Sequence, residues 1–300
     1  MVLVTGGAGF IGSHLAQRLN AIVLDDFSEG KRVNTQGLIC IRADIRKPKT
    51  LKAAFDGQVA VFHFAAMADV REDEKKPDRA FETNVRGTIH VLEACRKADV
   101  PRFVFASSSA VYGETASRAD ENAPVRPQST YGATKSCAES FVSAYASLYG
   151  IKSTVLRFAN IYGPRSTRGV MYDFVKKLKT NPLKLEILGN GKQSKSYVFV
   201  TDAADAVLLA FKKQKCMYDT FNVGANPQSA DAVAKNVCTA LHLKPAFVHT
   251  GGKTGWRGDV AKTWLDSSKL EKMGWTPAVS LHEGVHRYVD WLCSEEGCPC

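Results

Sequence analysis

The stretch Thr5-Gly6-Gly7-Ala8-Gly9-Phe10-Ile11-Gly12 separates the apolar run VLV from the helical pattern IGSHLAQRL. Glycines at 6, 9 and 12 permit a tight strand-to-helix turn, let backbone N–H groups approach a pyrophosphate, and let the helix lie close on a sheet. The next hundred residues repeat the strand-then-helix rhythm. Short β-branched runs (AIVLDDF, LICIRADI, VAVFHFAA, RFVFASSS, STVLRFAN) alternate with segments of helical period such as LKAAFDG and FETNVRGTIHVLEACRKA. Runs that are apolar throughout belong to strands covered on both faces, so the reading is an α/β fold around a doubly wound parallel sheet of six or more strands.

After Pro164 the pattern changes to a basic helix VMYDFVKKLKTN, a Gly-rich turn LGNGK, a strand SYVFVTD and a helix DAADAVLLAFKK. This predicts a Rossmann-type domain over residues 1–165, with part of 196–225 returning to it, and a smaller α/β carboxyl-terminal lobe over 166–300. No run approaches the roughly 18 uncharged apolar residues of a membrane helix. The opening MVLVTGG has no leader character, so a cytoplasmic location with no membrane partner is expected. The eight cysteines stand mostly as singletons in apolar stretches, which predicts small buried side chains in a reducing compartment. Cys293, Cys298 and Cys300 match no common zinc spacing, and no metal is expected. The net charge is +10, with 21 Lys plus Arg against 13 Asp plus Glu in residues 151–300 and 19 against 17 before them. The excess is scattered, without the block expected of a nucleic-acid binder, and suits a small polyanionic ligand.

Asp25 ends the second apolar run, 19 residues after Gly6, where an acid can accept from a ribose 2′-hydroxyl and repel a 2′-phosphate. NAD is therefore preferred over NADP, with Lys31 and Arg32 close enough to blunt the preference. Asp44, after the third run, can reach the adenine edge or be an ordinary loop acid. Tyr131-Gly132-Ala133-Thr134-Lys135 opens another helical segment, and spacing of four puts phenol and ammonium on one face, where the cation is expected to favour phenolate. Ser107-Ser108-Ser109 closes the preceding strand at the carboxyl edge, where open α/β sheets bind ligands.

TGGAGFIG, SSSAVYG at 107–113 and YGATK at 131–135 together resemble the extended short-chain dehydrogenase/reductases, the NAD-dependent epimerase/dehydratase family. The resemblance runs on through LRFANIYGPR, GNGKQSKSYVFVTD and WRGDV, and within the family the chain looks most like the UDP-glucose 4-epimerases. It implies Tyr131 as catalytic base, Lys135 as its ribose-holding neighbour and Ser108 as the proton-sharing hydroxyl, with Ser109 the fallback. For the cofactor, NAD, it implies Gly6, Gly9, Phe10, Ile11 and Gly12; Asp25 and Asp26; Asp44 and Ile45; Phe64, Ala65 and Ala66; and Asn84, Ser107 and Phe158. For a UDP-sugar it implies Ser108, Ser109, Tyr131, Asn160, Val170, Lys195, Arg257 and Asp259.

Several positions depart from the family. Lys195 stands where an Arg is usual, exchanging a bidentate fork for a point charge. Arg257 lies two residues before Asp259 where the common spelling has three, and Phe158 stands where many epimerases have Tyr. Thr263 occupies the place of a bulky residue thought to limit sugar size. Ser108, Ser109 and Ala110 fill the stretch in which 4,6-dehydratases resemble one another in carrying an acid pair, and water elimination without those carboxylates lacks its acid and base. The resemblance implies interconversion of UDP-galactose and UDP-glucose. Alternatives are 4-epimerisation of UDP-N-acetylhexosamine or UDP-glucuronate, another nucleotide-sugar oxidoreductase, or a dinucleotide-binding regulator without chemistry. The family also suggests a homodimer formed by the helices near 81–98 and 131–150.

Overall fold

The structure, a computed structural model, describes residues 1–115, 117–255 and 259–296. The β-branched runs form strands at Val2–Thr5 (β1), Ile22–Asp25 (β2), Cys40–Arg42 (β3), Ala60–His63 (β4), Arg102–Ser108 (β5) and Lys152–Phe158 (β6). The chain then makes Asn160–Tyr162 (β7), Lys184–Ile187 (β8) and Ser194–Phe199 (β9) before Tyr218–Val223 (β10) returns to pair with β6. The sheet has seven parallel strands in the order β10-β6-β5-β4-β1-β2-β3. Because the chain winds outward from β1 to β3 and then outward the other way from β4, a crevice opens between β1 and β4 at the carboxyl edge.

Pleating sorts the side chains into two layers. Leu3, Val61, Phe103, Phe105 and Val155 pack under helices Gly87–Lys97 and Thr130–Tyr149, through Val91, Leu92, Ala138 and Val142. Their neighbours Val4, Phe62, Val104, Leu156 and Phe221 pack against helices Phe10–Leu19 and Val200–Lys213, through Leu15, Ala203 and Val207. A fully buried side chain of this size contributes on the order of 2 kcal/mol, so a one-residue slip in any central strand is prohibited.

The second lobe is built on β9, which pairs with β7, with Pro227–Ser229 (β11) and with Lys262–Thr263 (β13); Ala246–His249 (β12) pairs with β8. Its core gathers Met171, Phe174 and Leu178 of helix Val170–Thr180, Val233 and Val237 of helix Ala230–Ala240, and Val285, Tyr288 and Leu292 of helix Leu281–Glu296.

Local readings need three corrections. LKAAFDG makes only the four-residue helix Lys52–Phe55. The helix expected over FETNVRGTIHVLEACRKA is present and unbroken but not regular, since a π-helical turn, Glu82–Arg86, joins Pro77–Phe81 to Gly87–Lys97. Of the cysteines expected to be buried, Cys95, Cys238 and Cys293 are, whereas Cys40, Cys137 and Cys216 are exposed; Cys298 and Cys300 lie outside the described residues. Among the described residues, no helix is long and apolar enough to cross a membrane.

Candidate active site

The glycine turn is fixed by close backbone approach. Gly6 has φ +70°, and a Cβ there would meet the Ala65 nitrogen at 2.5 Å; a Cβ on Gly12 would lie 2.2 Å from the Gly6 carbonyl oxygen. Helix Phe10–Leu19 starts from Gly9 with no side-chain cap, so its first N–H groups, at Phe10, Ile11 and Gly12, point to the crevice end without an internal competitor. This cradle fits a pyrophosphate, since any side chain would fill it.

A cleft of about 390 Å³ runs from this turn and is lined by Gly6, Gly9, Asp25, Asp26, Asp44 and Ile45 on one side and Phe64, Ala65 and Ala66 on the other. Asp25 Oδ2 accepts from Ala8 N at 2.9 Å and Oδ1 from Phe27 N at 2.8 Å. Burial pushes its carboxyl above the usual range, partly offset by these two bonds. Asp44 holds the Arg46 guanidinium at 2.9 and 2.8 Å, and that bond keeps its carboxyl below the usual range. Arg46 was missed in the sequence, although an opposite charge two residues after Asp44 signals it. Arg168 was missed too: it reaches from beyond β7 to Glu29 and, at 3.9 Å, to Asp69, all three lining the cleft. Nothing local in the sequence joins positions so far apart.

At the carboxyl end of β5, Tyr131 and Lys135 stand one turn apart on helix Thr130–Tyr149, which is capped by Ser129 Oγ accepting from Gly132 N at 3.1 Å. Lys135 is 3% exposed; its Nζ donates to the Ala106 carbonyl at 2.8 Å and lies 5.9 Å from the centre of the Tyr131 ring. The Tyr131 phenol is hydrogen-bonded to Ser108, whose Oγ also accepts from Ala110 N at 3.1 Å and starts the turn holding Ser109. Burial pushes the phenol up to about 12, although the Ser108 bond opposes it, and burial brings Lys135 down to about 8. The ammonium expected to favour phenolate is turned instead to the Ala106 carbonyl, and burial sets the phenol.

Asn84 sits in the π-helical turn, and its amide clasps the backbone of Met67: Oδ1 accepts from N at 2.8 Å and Nδ2 donates to O at 2.9 Å. Nδ2 also reaches Thr134 Oγ1 at 3.0 Å, which ties the Phe64–Met67 loop to the Tyr131 helix. The extra residue of the π turn aims this amide, a recurrent use of such bulges. His63 bridges Thr5 Oγ1 and Thr88 Oγ1 at 2.6 and 3.0 Å, and burial lowers its imidazole to about 3. Ser107, expected at the cofactor, spends its hydroxyl on Glu139, which in turn pairs with the buried Arg157 at 2.7 Å. Phe158 packs beside Phe64, ring centres 6.1 Å apart.

In the second lobe Lys195, on β9, forms an ion pair with Asp259, whose other oxygen accepts from Gly255 N at 3.1 Å. Thr263, buried, lies opposite Lys195 in the β9–β13 register. Asn160 opens β7 and donates to the Ser196 carbonyl at 3.1 Å, while Val170 opens helix Val170–Thr180. The structure therefore gathers Lys195 with Asp259, and Asn160 beside the end of β6; Arg257 lies outside the described residues.

The model of the NAD-dependent epimerase/dehydratase family matches residues 2–224. The chain belongs to this family. It is 32% identical to UDP-glucose 4-epimerase of Mycolicibacterium smegmatis over 97% of each chain. Among solved structures it resembles UDP-glucose 4-epimerase from Thermotoga maritima with UDP-glucose, with a TM-score of 0.91 at 32% identity, covering 98% of this chain and 99% of that one. It also resembles the Thermus thermophilus UDP-glucose 4-epimerase in complex with NAD, with a TM-score of 0.89 at 34% identity and 99% of each chain covered. A dTDP-D-glucose 4,6-dehydratase and a UDP-N-acetylglucosamine 4-epimerase are similar as well, so the family spans several nucleotide-sugar reactions. The cofactor is NAD, and the glycine cradle and Asp25 fit it.

Proposed function

We propose that the chain interconverts UDP-galactose and UDP-glucose by removing and returning hydride at C4 of the sugar. One observation carries the reading: Tyr131, Ser108 and Lys135 converge at the carboxyl end of β5, while Ser109 and Ala110 offer no carboxylate there. Tyr131 Oη takes the proton of the sugar 4-hydroxyl, and Ser108 Oγ shares it. Lys135, a cation held by Ala106, opposes the negative charge that grows on the phenol oxygen and reaches the cofactor ribose. NAD, when bound, supplies hydride acceptance and return.

The remaining roles are those the family resemblance implies. Phe10, Ile11 and Gly12 present N–H groups to the pyrophosphate, and Asp25 meets the adenosine ribose, with Asp26, Asp44 and Ile45 around the adenine. Phe64, Ala65, Ala66, Asn84, Ser107 and Phe158 shape the nicotinamide path. Asn160, Val170, Lys195, Arg257 and Asp259 hold the UDP, and Ser109 borders the sugar.

A second reading has one observation in its favour. Thr263, a small residue buried opposite Lys195 in the β9–β13 register, stands in place of a bulkier side chain, which favours UDP-N-acetylhexosamine as the sugar turned over. Purified protein incubated with each UDP-sugar, with and without added NAD, separates the cases by chromatography of the sugars. UDP-glucose formed from UDP-galactose without accumulating NADH supports the first reading, and conversion confined to N-acetylated sugars supports the second. Tyr131→Phe lowers turnover about 10²- to 10⁴-fold; steady NADH build-up, or turnover unchanged in that variant, refutes the assignment.

A further inference from the structure

Asp73 lies in the short helix Val70–Lys75, which packs against helix Thr130–Tyr149 and is fastened to its first turn by Thr130 N donating to Glu74 Oε1 at 2.7 Å. Its carboxyl is 0% exposed, and neither oxygen has a hydrogen-bond partner among the described residues. Buried polar groups are nearly always paired, and a carboxyl that only supported the fold would have been given a donor. Instead it sits within electrostatic reach of both Tyr131 and Lys135.

We propose that Asp73 is a positioning residue for the reaction: a second proton-holding group whose charge sets how readily Tyr131 and Lys135 give up their protons. The inference rests on the assignment of Tyr131 as base. The surroundings of Asp73 define the sign. Asp69 and Glu74 on its own segment oppose its ionisation, and Lys135 and Arg168 favour it; burial dominates and brings the carboxyl up to about 7. Its anion keeps the proton on Tyr131 and keeps Lys135 cationic. Of the other groups facing Lys135, Glu139 is paired with Arg157, and burial holds the His63 imidazole neutral. Glu72, on the same short helix, is turned to Lys75 and Lys76 at the surface. Among the described residues, Asp73 is thus a group beside the pair whose charge changes around neutrality, and both partners hold their protons more firmly once it ionises.

Asp73→Asn and Asp73→Ser in the NAD-loaded protein test this. The ultraviolet tyrosinate band is followed against pH, and the step belonging to Tyr131 is isolated by difference from the same protein carrying Tyr131→Phe. Both variants are expected to move that step to lower pH by roughly half a unit or more. The kcat/KM profile for whichever sugar turns over moves acidward in the same sense, the variants matching the parent below pH 6 and departing above pH 7 as the parent's carboxyl ionises, a window of about one unit either side of its pKa. A Tyr131 step that coincides in parent and variants, or a kcat/KM profile that falls in height with its pH dependence unmoved, overturns the proposal. The tyrosinate titration needs no sugar, so failure of every UDP-sugar to react refutes the epimerase reading while the titration still decides the role of Asp73.

Discussion

The dinucleotide cleft and the Lys195–Asp259 pair are built by opposite means. The cleft is made of backbone: glycines without Cβ, unoccupied N–H groups at a helix start, and carboxylates whose oxygens are already held by Ala8, Phe27 and Arg46. The second-lobe pair is made of side chains that hold each other, Lys195 on β9 of a separate small sheet and Asp259 in the segment before β13. Backbone recognition is rigid and intolerant of substitution; side-chain recognition is adjustable and carries its strength in charge.

The largest expected effect breaks the first region alone. Gly12→Ala places a methyl 2.2 Å from the Gly6 oxygen, where only backbone could yield. Nearly complete loss of copurifying NAD is expected, measured by extraction and chromatography, at a stability cost of about 2 kcal/mol or more. Retention of a full complement would mean that the turn is softer than drawn. Acid should also act on this region first. Buried His63 takes a proton only near pH 3, whereas in the unfolded chain it does so near 6.5. The unfolded state therefore binds more protons throughout that window, and stability falls as pH drops through it, by up to about 1.4 kcal/mol per pH unit. His63→Gln should flatten the dependence of Tm on pH between those limits; an unchanged slope would assign the acid sensitivity elsewhere.

The smallest effects belong to the second lobe. Lys195→Met should weaken UDP binding in calorimetry about tenfold, in line with a charge-assisted contact of about 1.5 kcal/mol. Lys195→Arg should cost less than about threefold, and the NAD content should stay unchanged in both. NAD lost on altering Lys195 would show that the two regions are not independent.

What could be read in the sequence follows the same division. The glycine turn, Asp25 and the Tyr131–Lys135 spacing are local patterns whose geometry one strand or helix dictates, and six of the seven strands of the main sheet, all but β10, follow from the β-branched runs. Asp73, Arg168 and the Glu139–Arg157 pair act through partners brought close only by tertiary packing. The π turn at Glu82–Arg86 escaped because its residues carry no Gly or Pro to mark an irregular turn, and the Met67 clasp by Asn84 comes from a distant loop. The pull expected of Lys135 on Tyr131 does not figure among what sets the phenol, which is burial, Ser108 and Asp73, and burial is invisible until the helix is docked.

The route of β10 has a consequence for how such a protein can be taken apart. This edge strand of the main sheet is encoded between β9 and β11, both of which belong to the other lobe. No single cut in the chain releases one lobe intact: ending at residue 165 would strip β6 of its outer neighbour and the helix Val200–Lys213 of its seat. The lobes must therefore be inherited, expressed and folded together, and an exchange between relatives has to be made through surface residues and loops rather than by grafting either lobe as a unit.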